Sequence, residues 1–133
     1  MADYRVTEYL AIDTGSERWK CVRCAADLGP ARRNYKEGCL VAERDPREVH
    51  PPRVGGPYTF APDPAWCSLL EFYCPGCLVL VEVEYLPPGH PITHDIEIDI
   101  DAIKAPAATA AGPAGIDIDA LTAPATPAEG ERQ

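Results

Sequence analysis

Apolar and polar positions alternate with period two along much of the second half of this 133-residue chain. Val81, Val83 and Tyr85 alternate with Glu82 and Glu84. Trp66, Ser68, Leu70 and Phe72 alternate, less cleanly, with Cys67, Leu69, Glu71 and Tyr73. Such a period predicts strands with one face on a core. It places Glu71, Glu82 and Glu84 on the solvent face rather than in an acid/base pair. Ile96, Ile98 and Ile100 alternate in the same way with Glu97, Asp99 and Asp101, which predicts a last strand or an acidic edge that resists stray pairing. Residues 4–12, rich in Tyr, Val, Leu and Ile, run into Asp13-Thr14-Gly15-Ser16 and predict a first strand and its turn. A further extended stretch over 38–43 is closed by Arg44-Asp45-Pro46, because the residue before proline is pushed away from helical geometry.

Fifteen prolines and ten glycines imply loops and tails and leave little room for helix. Gly29-Pro30 reads as a breaker. Pro51, Pro52, Pro57, Pro62 and Pro64 make residues 50–64 a long surface loop. Past Ala102 the chain turns to Ala, Pro, Thr and Gly, which cannot bury enough apolar surface to offset ordering entropy. The expected architecture is mainly β. Two CxxC turns, Cys21 to Cys24 and Cys74 to Cys77, make residues 1–101 a small zinc-ribbon-like antiparallel domain, and 102–133 form an acidic tail that is disordered or bound to a partner. Ile98-Asp-Ile-Asp-Ala-Ile-Lys-Ala-Pro106 returns as Ile116-Asp-Ile-Asp-Ala-Leu-Thr-Ala-Pro124, which reads as a duplicated low-complexity tail rather than a second docking strand.

The net charge of -9 is concentrated near the C-terminus. From Asp95 onward there are eight acids against Lys104 and Arg132. Such a chain repels phosphates, so nucleic acid is not an expected partner. The apolar run Leu78, Val79, Leu80, Val81 stops at Glu82, far short of a membrane span. Asp3, Arg5 and Glu8 interrupt the stretch a secretory signal would need. The chain reads as cytoplasmic, where thiols stay reduced and metal becomes the first hypothesis for six cysteines.

Cys21-Val-Arg-Cys24 and Cys74-Pro-Gly-Cys77 have the spacing that lets a tight turn aim two sulfurs at one tetrahedral ion. A redox-active CxxC would open a helix, and both pairs lie among strand-like residues instead. Four thiolates leave no open position for water, so the expected Zn2+ is structural, and its binding energy is folding energy. Cys39 and Cys67 read as buried thiols acting as small hydrophobes. His50, His90 and His94 read as surface or hydrogen-bonded residues rather than ligands. No Walker-type loop, HExxH or G-x-S-x-G occurs, so no catalytic residue is assigned.

Trp19-Lys20-Cys21-Val22-Arg23-Cys24, Asn34-Tyr35-Lys36, Arg44-Asp45-Pro46, Leu70-Glu71-Phe72-Tyr73-Cys74-Pro75-Gly76-Cys77 and Pro91-Ile92-Thr93-His94-Asp95-Ile96-Glu97 resemble, in that order, the small subunit of acetone and acetophenone carboxylases. The resemblance implies a biotin-independent, ATP-dependent ketone carboxylase, a ligase forming a C–C bond. In that family, large hydantoinase-like subunits handle ATP and bicarbonate, and a non-catalytic small subunit binds zinc and packs on them. It also implies Cys21, Cys24, Cys74 and Cys77 as ligands. The second knuckle of the family usually continues with Gly, where this chain has Leu78. The first often runs into a Gly-rich turn, where this chain has Ala25-Ala26. Two other readings stand beside it: a free-standing zinc-ribbon module using Arg32, Arg33 and Lys36 to contact protein or nucleic acid, and a small metalloenzyme with an open zinc site.

Overall fold

Two short hairpins build the first sheet. β1 (Asp3–Arg5), β2 (Leu10–Asp13), β3 (Arg18–Cys21) and β4 (Asp27–Pro30) pair antiparallel in sequence order. The second sheet holds β5 (Leu40–Arg44), β6 (Ser68–Tyr73) and β7 (Leu80–Leu86), also antiparallel, with β6 in the middle. Among the described residues, helix is confined to a 3-10 turn, Tyr35–Gly38, and two short pieces, α1 (Pro46–Val49) and α2 (Ile100–Lys104). This computed structural model describes residues 3–106 apart from Val54 and Pro57, and the fold is mainly β, as the periodicity predicts. The tail copy Ile116–Pro124 and the disorder expected of the tail lie outside the described residues.

The apolar stretch 4–12 is a hairpin and not one strand. Thr7 Oγ1 accepts from Leu10 N at 3.1 Å, and Val6 N and Thr7 N both donate to Leu10 O, so the chain reverses at its polar Thr7-Glu8 step. Gly29-Pro30, expected to break structure, ends β4. That strand is an edge, where the missing proline N–H costs no ladder bond, and Gly29 takes φ 108°.

The core joins both sheets. Leu10, Ile12, Trp19, Leu28, Tyr35 and Ile100 are buried together with Cys21 and Cys74. Trp19 meets Tyr35 edge to face, with ring centroids 5.5 Å apart, and donates its indole N–H to Arg33 O at 2.9 Å. Leu10 and Ile12, fully buried, each contribute about 1.5–3 kcal/mol. Gly38 is required by close approach, since a Cβ there would lie 2.1 Å from Leu28 O.

Two expectations from periodicity fail, for the same reason. In β6 the buried residues are Leu69 and Phe72, on opposite faces of a central strand flanked by β5 and β7. In β7, Leu80, Val83 and Tyr85 are the exposed positions, while Glu84 points inward. Glu84 is therefore no solvent-face residue, and Glu82 is half-buried beside it. The inward carboxylate meets Lys36, a lysine whose side chain is 1% exposed. Its Nζ lies 3.1 Å from Glu84, 3.2 Å from Asp95 and 3.2 Å from Thr93 O, above the Phe72 ring. Thr93 Oγ1 also hydrogen-bonds Glu84.

Ile96, Ile98 and Ile100 form no strand. Ile96 and Ile98 pack on the core from an irregular segment, and Ile100 is the buried first residue of α2. Asp99 caps α2 by accepting from Ala102 N at 3.0 Å. The helix straddles the boundary expected at residue 101, and Ile103 also packs on the core.

Candidate metal centre

Each CxxC is the tip of a hairpin, and the two tips are built alike. In the first, between β3 and β4, Ala25 N donates to Cys21 O at 2.9 Å and Cys21 N to Ala26 O at 2.9 Å. In the second, between β6 and β7, Leu78 N donates to Cys74 O at 2.9 Å and Cys74 N to Val79 O at 3.0 Å. The residue after each pair is left-handed, Ala25 at φ 61° and Leu78 at φ 59°. Glycine is the residue that enters this region without strain, and neither position carries it.

The turns bring all four sulfurs within 4.8 Å of one another. Cys21 Sγ lies 3.8 Å from Cys77 Sγ, and Cys24 Sγ 3.5 Å from Cys74 Sγ. A tetrahedral ion with Zn–S bonds of about 2.3 Å needs sulfur pairs about 3.8 Å apart, so the donor set fits such an ion. Cys21 and Cys74 are buried, Cys77 is half-buried, and Cys24 lies at the rim. Gly76 fits under the cluster because a Cβ there would sit 3.0 Å from Cys24 Sγ.

The thiols do not share their protons evenly. Burial raises the Cys74 thiol, but N–H groups of Cys77 and Gly76 and the thiols of Cys24 and Cys21 outweigh it and bring it down to about 7. Cys24 gains from the N–H of Ala26, yet burial and its role as proton donor to Cys74, Cys77 and Cys21 push it up to about 12. Cys74 forms a thiolate readily, while Cys21 and Cys24 hold their protons. A cation that displaces the remaining protons is the natural occupant of such a set.

The other candidates stay outside this cluster. Cys39, half-buried, bonds Tyr35 O, and its thiol is pushed up to about 11 by burial and then by nearby Cys74 and Cys21. Cys67, also half-buried, faces Ser68 O. His50 bonds Tyr85, His90 bonds Pro91 O, and His94 pairs with Glu97. The basic trio of the module reading is already engaged: Arg32 with Glu17 and Asp101, Arg33 with Glu37, and Lys36 with Glu84 and Asp95. The Lys36 cluster is what sequence reasoning missed. Among the described residues no helix is long and apolar enough to cross a membrane.

Comparison with known proteins places these features in a family. The model of the acetone carboxylase gamma subunit matches residues 4–108. The chain is 59% identical over 101 residues to the acetophenone carboxylase beta subunit of Aromatoleum aromaticum (strain DSM 19018 / LMG 30748 / EbN1), covering 76% of this chain and 78% of that one. It is 33% identical over 92 residues to the acetone carboxylase gamma subunit of Xanthobacter autotrophicus (strain ATCC BAA-1158 / Py2), covering 65% of this chain and 51% of the longer relative. This chain belongs to the acetone carboxylase gamma subunit family.

Proposed function

We propose that the chain is the small, non-catalytic subunit of an ATP-dependent ketone carboxylase of the acetone or acetophenone type. In this reading Cys21, Cys24, Cys74 and Cys77 hold one structural Zn2+. The zinc-bound subunit packs on larger hydantoinase-like subunits in the cytoplasm and stabilises them. ATP and bicarbonate belong to those partners. The observation that carries the reading is the convergence of two distant hairpin tips on one four-sulfur set of tetrahedral size. Four thiolates fill the coordination of Zn2+ and leave no position for an activated water, which favours a structural over a catalytic ion.

The test is co-expression of the tagged chain with the larger subunits of its own carboxylase. The parent should retain them and carry one zinc, and Cys74→Ser should lose both. A parent chain that folds metal-free, or that purifies without the larger subunits, would refute the reading.

A further inference from the structure

We propose that the side of the second sheet turned away from Lys36, together with the aromatic loop beside it, is the surface that docks on a larger carboxylase subunit. The inference rests on the function proposed above and assigns that contact to named residues.

Antiparallel partners point to the same side of a sheet, so the register sorts the faces. Phe72 faces Lys36 and the core, while its partner Val41 on the edge strand β5 is 51% exposed. The opposite face carries the rows Ala42–Glu71–Val83 and Arg44–Leu69–Tyr85, and the row Leu40–Tyr73–Leu80 joins them across a register shift after Phe72 that skips Val81. Leu40, Leu80, Val83 and Tyr85 on these rows are 50%, 39%, 37% and 46% exposed. Single exposed hydrophobics need no explanation, but four on adjacent rows of one face form a patch.

The proline-rich loop extends this patch. His50 Nε2 lies 2.7 Å from the Tyr85 hydroxyl, with the two rings nearly parallel, so the loop begins on this face. Farther along, Phe60 and Trp66 are 84% and 80% exposed. The same chain buries Trp19 and Tyr35 completely. Thr59 Oγ1 donates to His50 O at 3.3 Å, so the loop returns to the His50 end of this face just before Phe60.

Charge and composition choose the occupant. Arg44 is already paired with Glu71 and Arg47 with Asp45, so covering the face strands few charges. No lysine occurs from residue 37 to 103, while aromatics and arginines do, the bias of protein-interface cores. Two copies of a chain of net charge -9 repel each other, and anionic lipid repels it as well. A different protein chain with an apolar surface grooved for aromatic rings remains, and the relatives are named as subunits of carboxylases.

The experiment uses the full chain co-expressed with its larger subunits. Val83→Lys and Trp66→Ser should each lower their retention at least tenfold, with zinc content and far-UV dichroism unchanged. Tyr4→Lys, an exposed change on the other sheet, should retain them like the parent. If Val83→Lys disturbs the sheet, Trp66→Ser and Phe60→Ser on the loop carry the test alone. Undiminished retention by the loop and sheet variants overturns the docking face while the proposed function stands. A parent that retains no larger subunit overturns both. A parent that dimerises alone and is split by Val83→Lys assigns the face to a second copy and overturns the inference.

Discussion

Leu78 bears backbone strain next to the candidate metal. A non-glycine residue in the left-handed region costs about 1–2 kcal/mol, whereas glycine's extra freedom in the unfolded chain costs about 0.5–1 kcal/mol. Leu78 is 63% exposed, so little packing is lost on replacing it. Leu78→Gly should therefore stabilise the metal-loaded protein by about 0.5–1 kcal/mol, read from the denaturation midpoint at unchanged slope. Lys36 is the opposite case. Its ammonium is buried among Glu84, Asp95 and Thr93, and removing one partner of such a set leaves uncompensated charge. Lys36→Ala should cost about 3–5 kcal/mol in urea unfolding, more than loss of any of the solvent-exposed arginine pairs.

At the scale of elements, the hairpin tips tie metal binding to pH. The Cys74 thiol sits at about 7 in the fold against an ordinary value of 9.0. A folded-state value below the unfolded one supplies stability that is fully present above pH 9.0 and is lost as pH falls through about 7. Metal competes with protons for the same sulfurs, and Cys24, pushed up to about 12, must yield its proton on binding. Chelator competition should show apparent affinity falling from pH 8 to pH 6, by about tenfold per unit for each proton displaced. An affinity flat across that range would mean the sulfurs are not the ligands.

The tips were legible because CxxC spacing and the Pro75-Gly76 step are local signals. Their convergence was not, since it depends on how the two sheets pack. The hairpin within 4–12 was hidden because Thr7-Glu8 is a weak turn signal beside Tyr9 and Leu10. Glu84 was misplaced because periodicity reports side-chain alternation without saying which face a buried lysine will claim. Ile96, Ile98 and Ile100 alternate as a strand would, yet they anchor a segment that lays apolar side chains on the core without a ladder.

In the whole molecule the candidate site bridges the sheets: Cys21 and Cys24 belong to the first, Cys74 and Cys77 to the second, and Cys21 and Cys74 are themselves core residues. Such small sheets have limited apolar area, and structural zinc binding in small knuckle peptides supplies about 10–16 kcal/mol of apparent folding energy. Chelation should lower the thermal midpoint sharply and abolish cooperative unfolding, as followed by near-UV dichroism. Retention of the full transition without metal would place the stability elsewhere. X-ray absorption at the zinc edge of the purified chain tests the central claim most directly. The account predicts one zinc per chain surrounded by four sulfurs at about 2.3 Å. A shell containing nitrogen or oxygen, or a folded chain holding no zinc, would contradict it.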